Sequence, residues 1–163
     1  MKWVKKILIV LLVVLVVIQF FKPKENKASG VQVNDIATVY PVSDDVNKIF
    51  KKACNDCHSN NTVYPWYSKI QPVAWWLNEH VEDGKNEFNM NEFATFKLRK
   101  QYRRIGQVAE LVKKEEMPLK AYTLVHRDAV LTDAEKETLY NWSKLIQDSM
   151  KAKYPMDSLI RKK

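Results

Sequence analysis

Apolar positions follow two different patterns along this chain. Near the N-terminus they form an almost unbroken block from Ile7 to Phe21, interrupted only by Gln19. From about Pro41 onward they recur every three or four residues, which is the spacing of one face of an α-helix. No stretch alternates apolar and polar residues over the length that a β-strand would need. The pattern therefore predicts an all-α chain with a wholly apolar segment near its start.

The N-terminal apolar block has the character of a membrane-spanning segment. Counted from Trp3 to Phe21, with the neighbouring lysines reaching out to the interface, it has 19 residues. A helix of that length can cross a hydrocarbon core of about 30 Å. We therefore expect an uncleaved transmembrane anchor over residues 1–22. A cleaved signal peptide is the main alternative, although the small-residue site at 28–30 lies far beyond the apolar block, and a buried core helix is the third.

Four helices are predicted after this block. Ser43 is a suitable N-cap for the first helix, and Pro72 suits the first turn of the second. Asn91 is expected to cap the third, while Thr132 and Glu135 have the capping-box spacing for the fourth. The first helix is expected over 44–53 with an apolar face at Val46, Ile49, Phe50 and Ala53, and the second over 72–84 with an apolar face at Val73, Trp76, Leu77 and His80. The third is expected over 92–115, with its apolar face at Phe93, Phe96, Tyr102, Ile105, Val108, Ala109 and Val112. The fourth is expected over 132–151, with its apolar face at Leu139, Trp142, Leu145 and Ile146.

Composition divides the chain further. Residues 23–42 are polar without sustained periodicity and are interpreted as a tether, residues 43–152 as the helical domain, and residues 153–163 as a basic tail. Of the formal net charge of +8, residues 1–29 contribute +5, so the remainder is only mildly basic. Nucleic-acid binding, which needs a basic patch or stripe, is therefore not expected.

The strongest chemical signal is the string Cys54-Asn55-Asp56-Cys57-His58, which has the Cys-x-x-Cys-His spacing of covalent haem attachment. Two thiols three positions apart at a helix end can reach the two vinyl groups on one edge of a porphyrin, and the adjacent imidazole then projects beneath the iron. We predict one covalent haem c on Cys54 and Cys57, with His58 as an iron ligand. Because such thioether bonds form outside the cytoplasm, we expect the haem domain to face the periplasm from a single-pass anchor in a bacterial inner membrane.

Three other interpretations of the cysteines remain open. A zinc site normally has four Cys or His ligands, so His80 and His126 would have to join the motif without the usual paired spacing. A dithiol redox motif is more typical of a βαβ setting, which the pattern does not predict. A structural disulfide between Cys54 and Cys57 would not require His58.

The sixth iron ligand is best assigned to Met117. It follows the long third helix in the string Glu116-Met117-Pro118-Leu119, where the proline stiffens a loop that must hold a thioether sulfur at the iron. Met90, His80 and His126 are alternatives, as is the absence of any protein ligand. The ordinary role of a methionine is core packing, and the position of Met117 is what argues against that role here.

The ligand set determines the expected function. An iron closed by His58 and Met117 excludes substrates, so we expect single-electron transfer rather than enzymatic activity. Met/His ligation also stabilises the ferrous state and raises the reduction potential. The expected partners are redox proteins in or near the membrane. If the sixth position is open or labile, the alternative is a haem-based sensor or a peroxidase-like protein.

Several stretches carry a family resemblance. They are 54–58, Ser59-Asn60 through Tyr64-Pro65-Trp66-Tyr67, Pro72-Val73-Ala74-Trp75-Trp76 through His80-Val81 and Gly84, Glu116-Met117-Pro118-Leu119, Tyr122, His126 and Leu131-Thr132. Over residues 45–147 the chain resembles the haem-binding domain family, small bacterial proteins related to single-haem class I cytochromes c. The aromatic block is the specific part, and we expect it to pack in the core and against the haem edge. The resemblance implies a cytochrome c-like helical fold, attachment at Cys54, Cys57 and His58, and Met117 as the distal ligand.

Overall fold

The structure is a computed structural model that describes residues 2–161, and within them the chain is all-helical without a β-strand. One isolated antiparallel bridge pairs Lys27 with Asn61. The all-α prediction is confirmed, but the described residues form eight α-helices where about five, counting the N-terminal segment, are expected. These are α1 (Lys2–Ile18), α2 (Asp44–Ala53), α3 (Asn55–His58), α4 (Val73–Glu87), α5 (Leu98–Lys113), α6 (Lys120–Val125), α7 (Asp133–Lys153) and α8 (Met156–Leu159), with short 3-10 helices at Ile36–Thr38, Trp66–Lys69, Met90–Thr95 and Arg127–Ala129.

The first helix does not match the expected transmembrane anchor. It ends at Ile18 after 17 residues, which at about 1.5 Å per residue gives about 25 Å against a hydrocarbon core of about 30 Å. Gln19 instead binds the loop before α4, since its Oε1 accepts a hydrogen bond from the backbone amide of Gln71 at 3.0 Å. No helix within residues 2–161 combines the length and the apolar character needed to cross a membrane. The predicted N-terminal transmembrane helix over residues 1–22 is therefore wrong, and so is the single-pass inner-membrane location, with a periplasm-facing domain, that depends on it.

The predicted N-termini of two helices are confirmed. The Ser43 hydroxyl accepts from the Val46 amide at the start of α2, and Thr132 and Glu135 form a reciprocal capping box at the start of α7. The predicted apolar faces of both helices are buried, except that Leu145 of α7 is exposed. Local capping chemistry and apolar spacing are thus sufficient to locate these two helices.

The predicted C-terminus of the second helix is wrong. Helix α4 begins after Pro72 as expected, but it passes through Gly84 and ends at Glu87. A glycine is common just after a helix, yet here it serves a close contact inside the helix. That contact belongs to the candidate site described below.

The predicted helix over residues 92–115 is divided in two. A 3-10 helix covers Met90–Thr95, and α5 begins only at Leu98. The cap is Asn89 rather than Asn91, because the Asn89 side chain accepts from the Asn91 amide at 3.0 Å. The break coincides with the start of the six-residue gap between the apolar positions Phe96 and Tyr102.

Helix α7 lies at the centre of the core and packs against both α5 and α2. Phe50 of α2 meets Trp142 of α7 edge to face, with ring centroids 5.2 Å apart. A Cβ atom on Gly106 of α5 would lie 2.5 Å from the side-chain nitrogen of Gln147 of α7, which is the end of a flexible side chain. The buried apolar cluster also includes Ile49, Phe93, Ile105, Leu139, Ile146, Met150 and Leu159.

Residues outside the predicted helical domain also contact it. Asn26 and Ile36, in the predicted tether, are buried, as is Leu159 in the predicted tail. Met1, Lys162 and Lys163 lie outside the described residues, so part of the basic tail does as well. The division at residues 22, 42 and 152 stays a prediction.

Candidate functional site

A cavity of about 500 Å³ lies between α3, α4, α5 and the segment that follows α5. This volume is within the range of about 300–1,000 Å³ that is usual for small-molecule and cofactor sites. Its wall contains Cys54, Cys57, His58 and Met117, so the structure brings the four predicted site residues to one place. The remaining lining is mostly apolar and includes Phe50, Phe88, Val108, Leu111, Val112 and Leu131.

The imidazole of His58 is held in one orientation by backbone carbonyls. Its Nδ1 lies 2.9 Å from the carbonyl oxygen of Gly84 and 2.9 Å from that of Phe88. Because carbonyl oxygens only accept hydrogen bonds, Nδ1 must carry the proton, and Nε2 is left with a free lone pair. This is the arrangement by which proteins orient a metal-ligating histidine.

The charge state of His58 suits the same role. Burial lowers the pKa of His58 below its ordinary value, and the nearby Arg104 cation lowers the pKa further, whereas the two carbonyl hydrogen bonds oppose the shift. The ring is therefore neutral at neutral pH, as a metal ligand must be.

Gly84 brings α4 against the Cys-x-x-Cys-His segment. A Cβ atom on Gly84 would lie 2.5 Å from the carbonyl oxygen of Cys57 and 2.9 Å from its Cβ. No side chain fits in that space, and the same glycine offers its carbonyl to His58. The glycine is thus required by the packing of the site and not by helix termination.

Asp56, between the two cysteines, fastens the segment to its surroundings. One carboxylate oxygen accepts from the Val63 amide at 3.0 Å, and the other accepts from the Tyr122 hydroxyl at 2.8 Å. The backbone carbonyl of Asp56 accepts from the Thr62 hydroxyl at 2.6 Å. These bonds tie the short helix α3 to α6 and to the loop that follows α3.

The two cysteines are free thiols with raised pKa values. Burial raises the pKa of Cys54 to about 12, and the pKa of Cys57 rises to about 11 through burial and the adjacent Asp56 carboxylate. Dithiol redox motifs depend on a lowered thiol pKa, so this environment argues against thiol exchange. Within residues 2–161 no three His, Cys, Asp or Glu side chains converge as metal ligands, which leaves the zinc interpretation without a ligand set.

Met117 is positioned by the turn that ends α5. Glu115 adopts a left-handed φ of 59°, and the amides of Glu115 and Glu116 bond to the carbonyls of Val112 and Leu111. This is a Schellman ending, which normally has glycine at the left-handed position. The Met117 amide also bonds to the Leu111 carbonyl, at 3.2 Å. The Met117 side chain, directly after this turn, forms part of the cavity wall.

The alternative ligands differ in their surroundings. Met90 lines the cavity but belongs to the buried core and follows Phe88, whose carbonyl orients His58. His80 also lines the cavity, with Nδ1 bonded to the Trp76 carbonyl at 2.8 Å.

His126 does not line the large cavity. Its Nε2 is 2.7 Å from the Tyr67 hydroxyl, and its ring stacks on Tyr122 with centroids 4.3 Å apart. It borders a second, apolar pocket of about 70 Å³, whose wall shares Cys57 and Tyr122 with the cavity. Its hydrogen bond and location make it a poor candidate for the iron.

The aromatic block surrounds this second pocket and not the cavity. Tyr64, Tyr67 and Trp76 border the small pocket, while Trp66 is exposed and the indole of Trp75 donates to the Phe21 carbonyl at 2.9 Å. The small pocket shares Asp56, Cys57 and Tyr122 with the cavity wall, so the expectation that these residues pack against the haem edge stays a prediction.

Arg104 is a cavity residue that sequence reasoning misses. It is not among the predicted site residues, yet its side chain is only 13% exposed. A signal is present in the sequence, since Arg104, Val108 and Leu111 share one helix face by their spacing. All three line the cavity.

A haem fits these features. The site offers two thiols, one imidazole with a free Nε2 and one thioether around an apolar space of suitable size. The Nε atom of Arg104 is buried without a hydrogen-bond partner among the described residues. A cation with one unpaired N–H group at the edge of an apolar cavity is consistent with an acidic cofactor.

Comparison with known proteins bears on the same question. The model of a family described as a haem-binding domain matches residues 13–145, which is most of the chain. No match was found among curated proteins, and none was found among solved structures. The cavity and the family match agree on haem binding, and the chain belongs to the haem-binding domain family.

Proposed function

We propose that this protein is a mono-haem c-type cytochrome that transfers single electrons between partner redox proteins. The proposal extends haem binding in three respects: thioether attachment at Cys54 and Cys57, axial ligation by His58 and Met117, and electron transfer. The observation that supports it best is the common cavity, whose wall contains all four side chains.

Each residue has a defined part in the proposal. His58 binds iron through Nε2, while the carbonyls of Gly84 and Phe88 keep the ring oriented and increase its basicity. Met117 supplies the sixth ligand from the turn after α5, which closes the iron to substrates. The apolar lining excludes water, which affects the reduction potential. When bound, haem supplies a one-electron iron couple.

Covalent attachment is tested directly. The protein is expressed together with a haem-attachment system, denatured in acid acetone and assayed as the pyridine haemochrome. Wild-type protein should keep its red colour and give the spectrum of haem bound by two thioethers. The near-isosteric double variant Cys54→Ser, Cys57→Ser should release its haem into the acetone. Colour that washes out of the wild-type protein would refute the proposal.

Electron transfer is tested against the alternative of an open sixth site. If Met117 closes the iron, reduced protein should react slowly with carbon monoxide and should not turn over peroxide. Rapid carbon monoxide binding by the wild-type protein would favour the haem-based sensor or peroxidase-like alternative. Stopped-flow absorbance measures both reactions in one preparation.

A further inference from the structure

Arg104 is the only lysine or arginine among the described residues that line the cavity. Its side chain is 13% exposed, whereas the neighbouring Arg103 on the same helix is exposed and lies outside the cavity. A cation in an apolar wall is costly unless a partner compensates it. The ion-pair and hydrogen-bond partners of Arg104 therefore show how much of this cost the protein itself compensates.

The protein satisfies only part of the Arg104 guanidinium. One terminal nitrogen pairs with the Glu87 carboxylate, and the other donates to the side-chain oxygen of Gln107 at 2.9 Å. The Nε–H group is buried and has no acceptor among the described residues. Glu87 is itself 66% exposed, so its carboxylate is largely solvated and compensates the cation only in part.

The unpaired donor has a clear chemical complement. Nε–H and an adjacent terminal N–H of arginine form the planar fork that binds a carboxylate with two parallel hydrogen bonds. Haem carries two propionate carboxylates on one edge, and an apolar cavity that accepts haem must either expose or neutralise them. We propose that Arg104 binds a haem propionate through Nε–H and a terminal N–H group. This inference rests on the haem site of the proposed function.

The other charged groups around the cavity do not offer the same partner. The titratable side chains in its wall besides the two cysteines and Arg104 are Asp56, His58, His80, Asp83, Glu87 and Tyr122. Asp56 is committed to Val63 and Tyr122, and the carboxylates of Asp83 and Glu87 would repel a propionate. His58 is assigned to the iron. Arg104 is thus the group whose charge and geometry suit a carboxylate best.

Three single variants test the assignment. Arg104→Gln removes the cation, Arg103→Gln makes the same charge change one residue away and outside the cavity, and Glu87→Gln removes the competing carboxylate. Covalent haem is first quantified in each as the pyridine haemochrome. Resonance Raman spectra then report the propionate bending band, whose frequency rises with hydrogen bonding to the carboxylate. The reduction potential is measured on the same samples.

Arg104→Gln and Glu87→Gln are expected to shift the propionate band in opposite directions. Arg104→Gln should move the propionate band to lower frequency and lower the reduction potential, because loss of a nearby cation favours ferric iron. Glu87→Gln should move the band to higher frequency, and Arg103→Gln should leave it unchanged. If Arg104→Gln yields no folded protein, the Glu87→Gln shift decides the assignment. This variant changes an exposed side chain.

Failure of the propionate assignment can be distinguished from failure of the proposed function. If wild-type protein carries covalent haem but neither the Arg104→Gln nor the Glu87→Gln change moves the band, the propionate assignment is overturned while the proposed function stands. A shift in Arg103→Gln equal to that in Arg104→Gln would also overturn it, because the effect would then be general charge. If wild-type protein carries no covalent haem, the proposed function fails and the assignment fails with it.

Discussion

Gly84 lies so close to Cys57 that a Cβ atom on the glycine would be 2.5 Å from the cysteine's carbonyl oxygen. The neighbouring atom is backbone, which cannot move aside without displacing α3. Gly84 also accepts the hydrogen bond of His58 Nδ1. Gly84 therefore couples the position of α4 both to the Cys-x-x-Cys-His segment and to the imidazole of His58.

Replacement of this glycine should disrupt the site. We expect Gly84→Ala to destabilise the protein by about 1–3 kcal/mol through overpacking and to lower the fraction of protein that carries haem. Urea unfolding and the haem-to-protein ratio measure the two effects.

Gly106→Ala is the matched control for that substitution. Its Cβ would also lie 2.5 Å from another atom, but that atom is the end of the flexible Gln147 side chain. Because alanine is favoured over glycine in a helix by about 1 kcal/mol, Gly106→Ala should be neutral or stabilising. Equal destabilisation by the two substitutions would contradict this account of Gly84.

The sixth ligand can be identified with isosteric variants. Met117→Leu should abolish the weak red-edge charge-transfer band of thioether-ligated ferric haem and lower the reduction potential, because Met/His ligation raises it. Each Met→Leu change should cost less than about 1.5 kcal/mol of stability, since volume is conserved. Optical spectra of oxidised protein provide the measurement.

Met90→Leu is the control for the ligand test, because Met90 lines the same cavity. It should keep the charge-transfer band. Loss of the band in Met90→Leu and its persistence in Met117→Leu would transfer the ligand role to Met90.

The thiols of Cys54 and Cys57 should react slowly in haem-free protein. With pKa values of about 12 for Cys54 and about 11 for Cys57, both are almost wholly protonated at pH 8. Alkylation by iodoacetamide, which requires the thiolate, should then be on the order of 100-fold slower at Cys57 and 1,000-fold slower at Cys54 than for a free cysteine with a pKa of about 8.5. The rate should increase about tenfold for each pH unit up to about pH 10.

This measurement uses haem-free protein expressed without an attachment system and checked for helicity by circular dichroism. Fast alkylation below pH 8 in folded protein would instead indicate a reactive dithiol. Unfolded protein in urea provides the reference rate for the same two cysteines.

The turn before Met117 carries a residue in an unfavourable conformation. Glu115 has a φ of 59°, which costs a non-glycine residue roughly 1–2 kcal/mol. Glu115→Gly should therefore stabilise the protein by up to about 1 kcal/mol after the entropy cost of glycine is included. Loss of the exposed ion pair between Glu115 and Lys136 should offset part of this gain, since such pairs contribute about 0–1 kcal/mol.

Glu116→Gly makes the same chemical change at the next position, where φ is not positive. It should be neutral or destabilising. Thermal unfolding of the two variants measures the difference, and a Glu115→Gly protein less stable than Glu116→Gly would contradict the strain argument.

The sequence by itself was sufficient wherever a local rule operates alone. The caps at Ser43 and Thr132 need only neighbouring residues, and the spacing of Val46, Ile49, Phe50 and Ala53 requires only a helix beside a core. The Cys-x-x-Cys-His string is contiguous, so its spacing can be recognised without a fold. Family membership agrees with the resemblance that these stretches carry.

Tertiary contacts decided what local rules leave ambiguous. Gly84 is equally suited to ending a helix and to a close approach, and only the position of Cys57 selects the second role. The apolar block of α1 continues past Ile18 in sequence, but Gln19 turns to Gln71 and the helix ends. The spacing places Arg104 on one helix face with Val108 and Leu111, but only the fold shows that this face borders a cavity. In each case the deciding partner is distant along the chain, so its effect depends on the folded backbone and cannot be inferred from neighbouring residues.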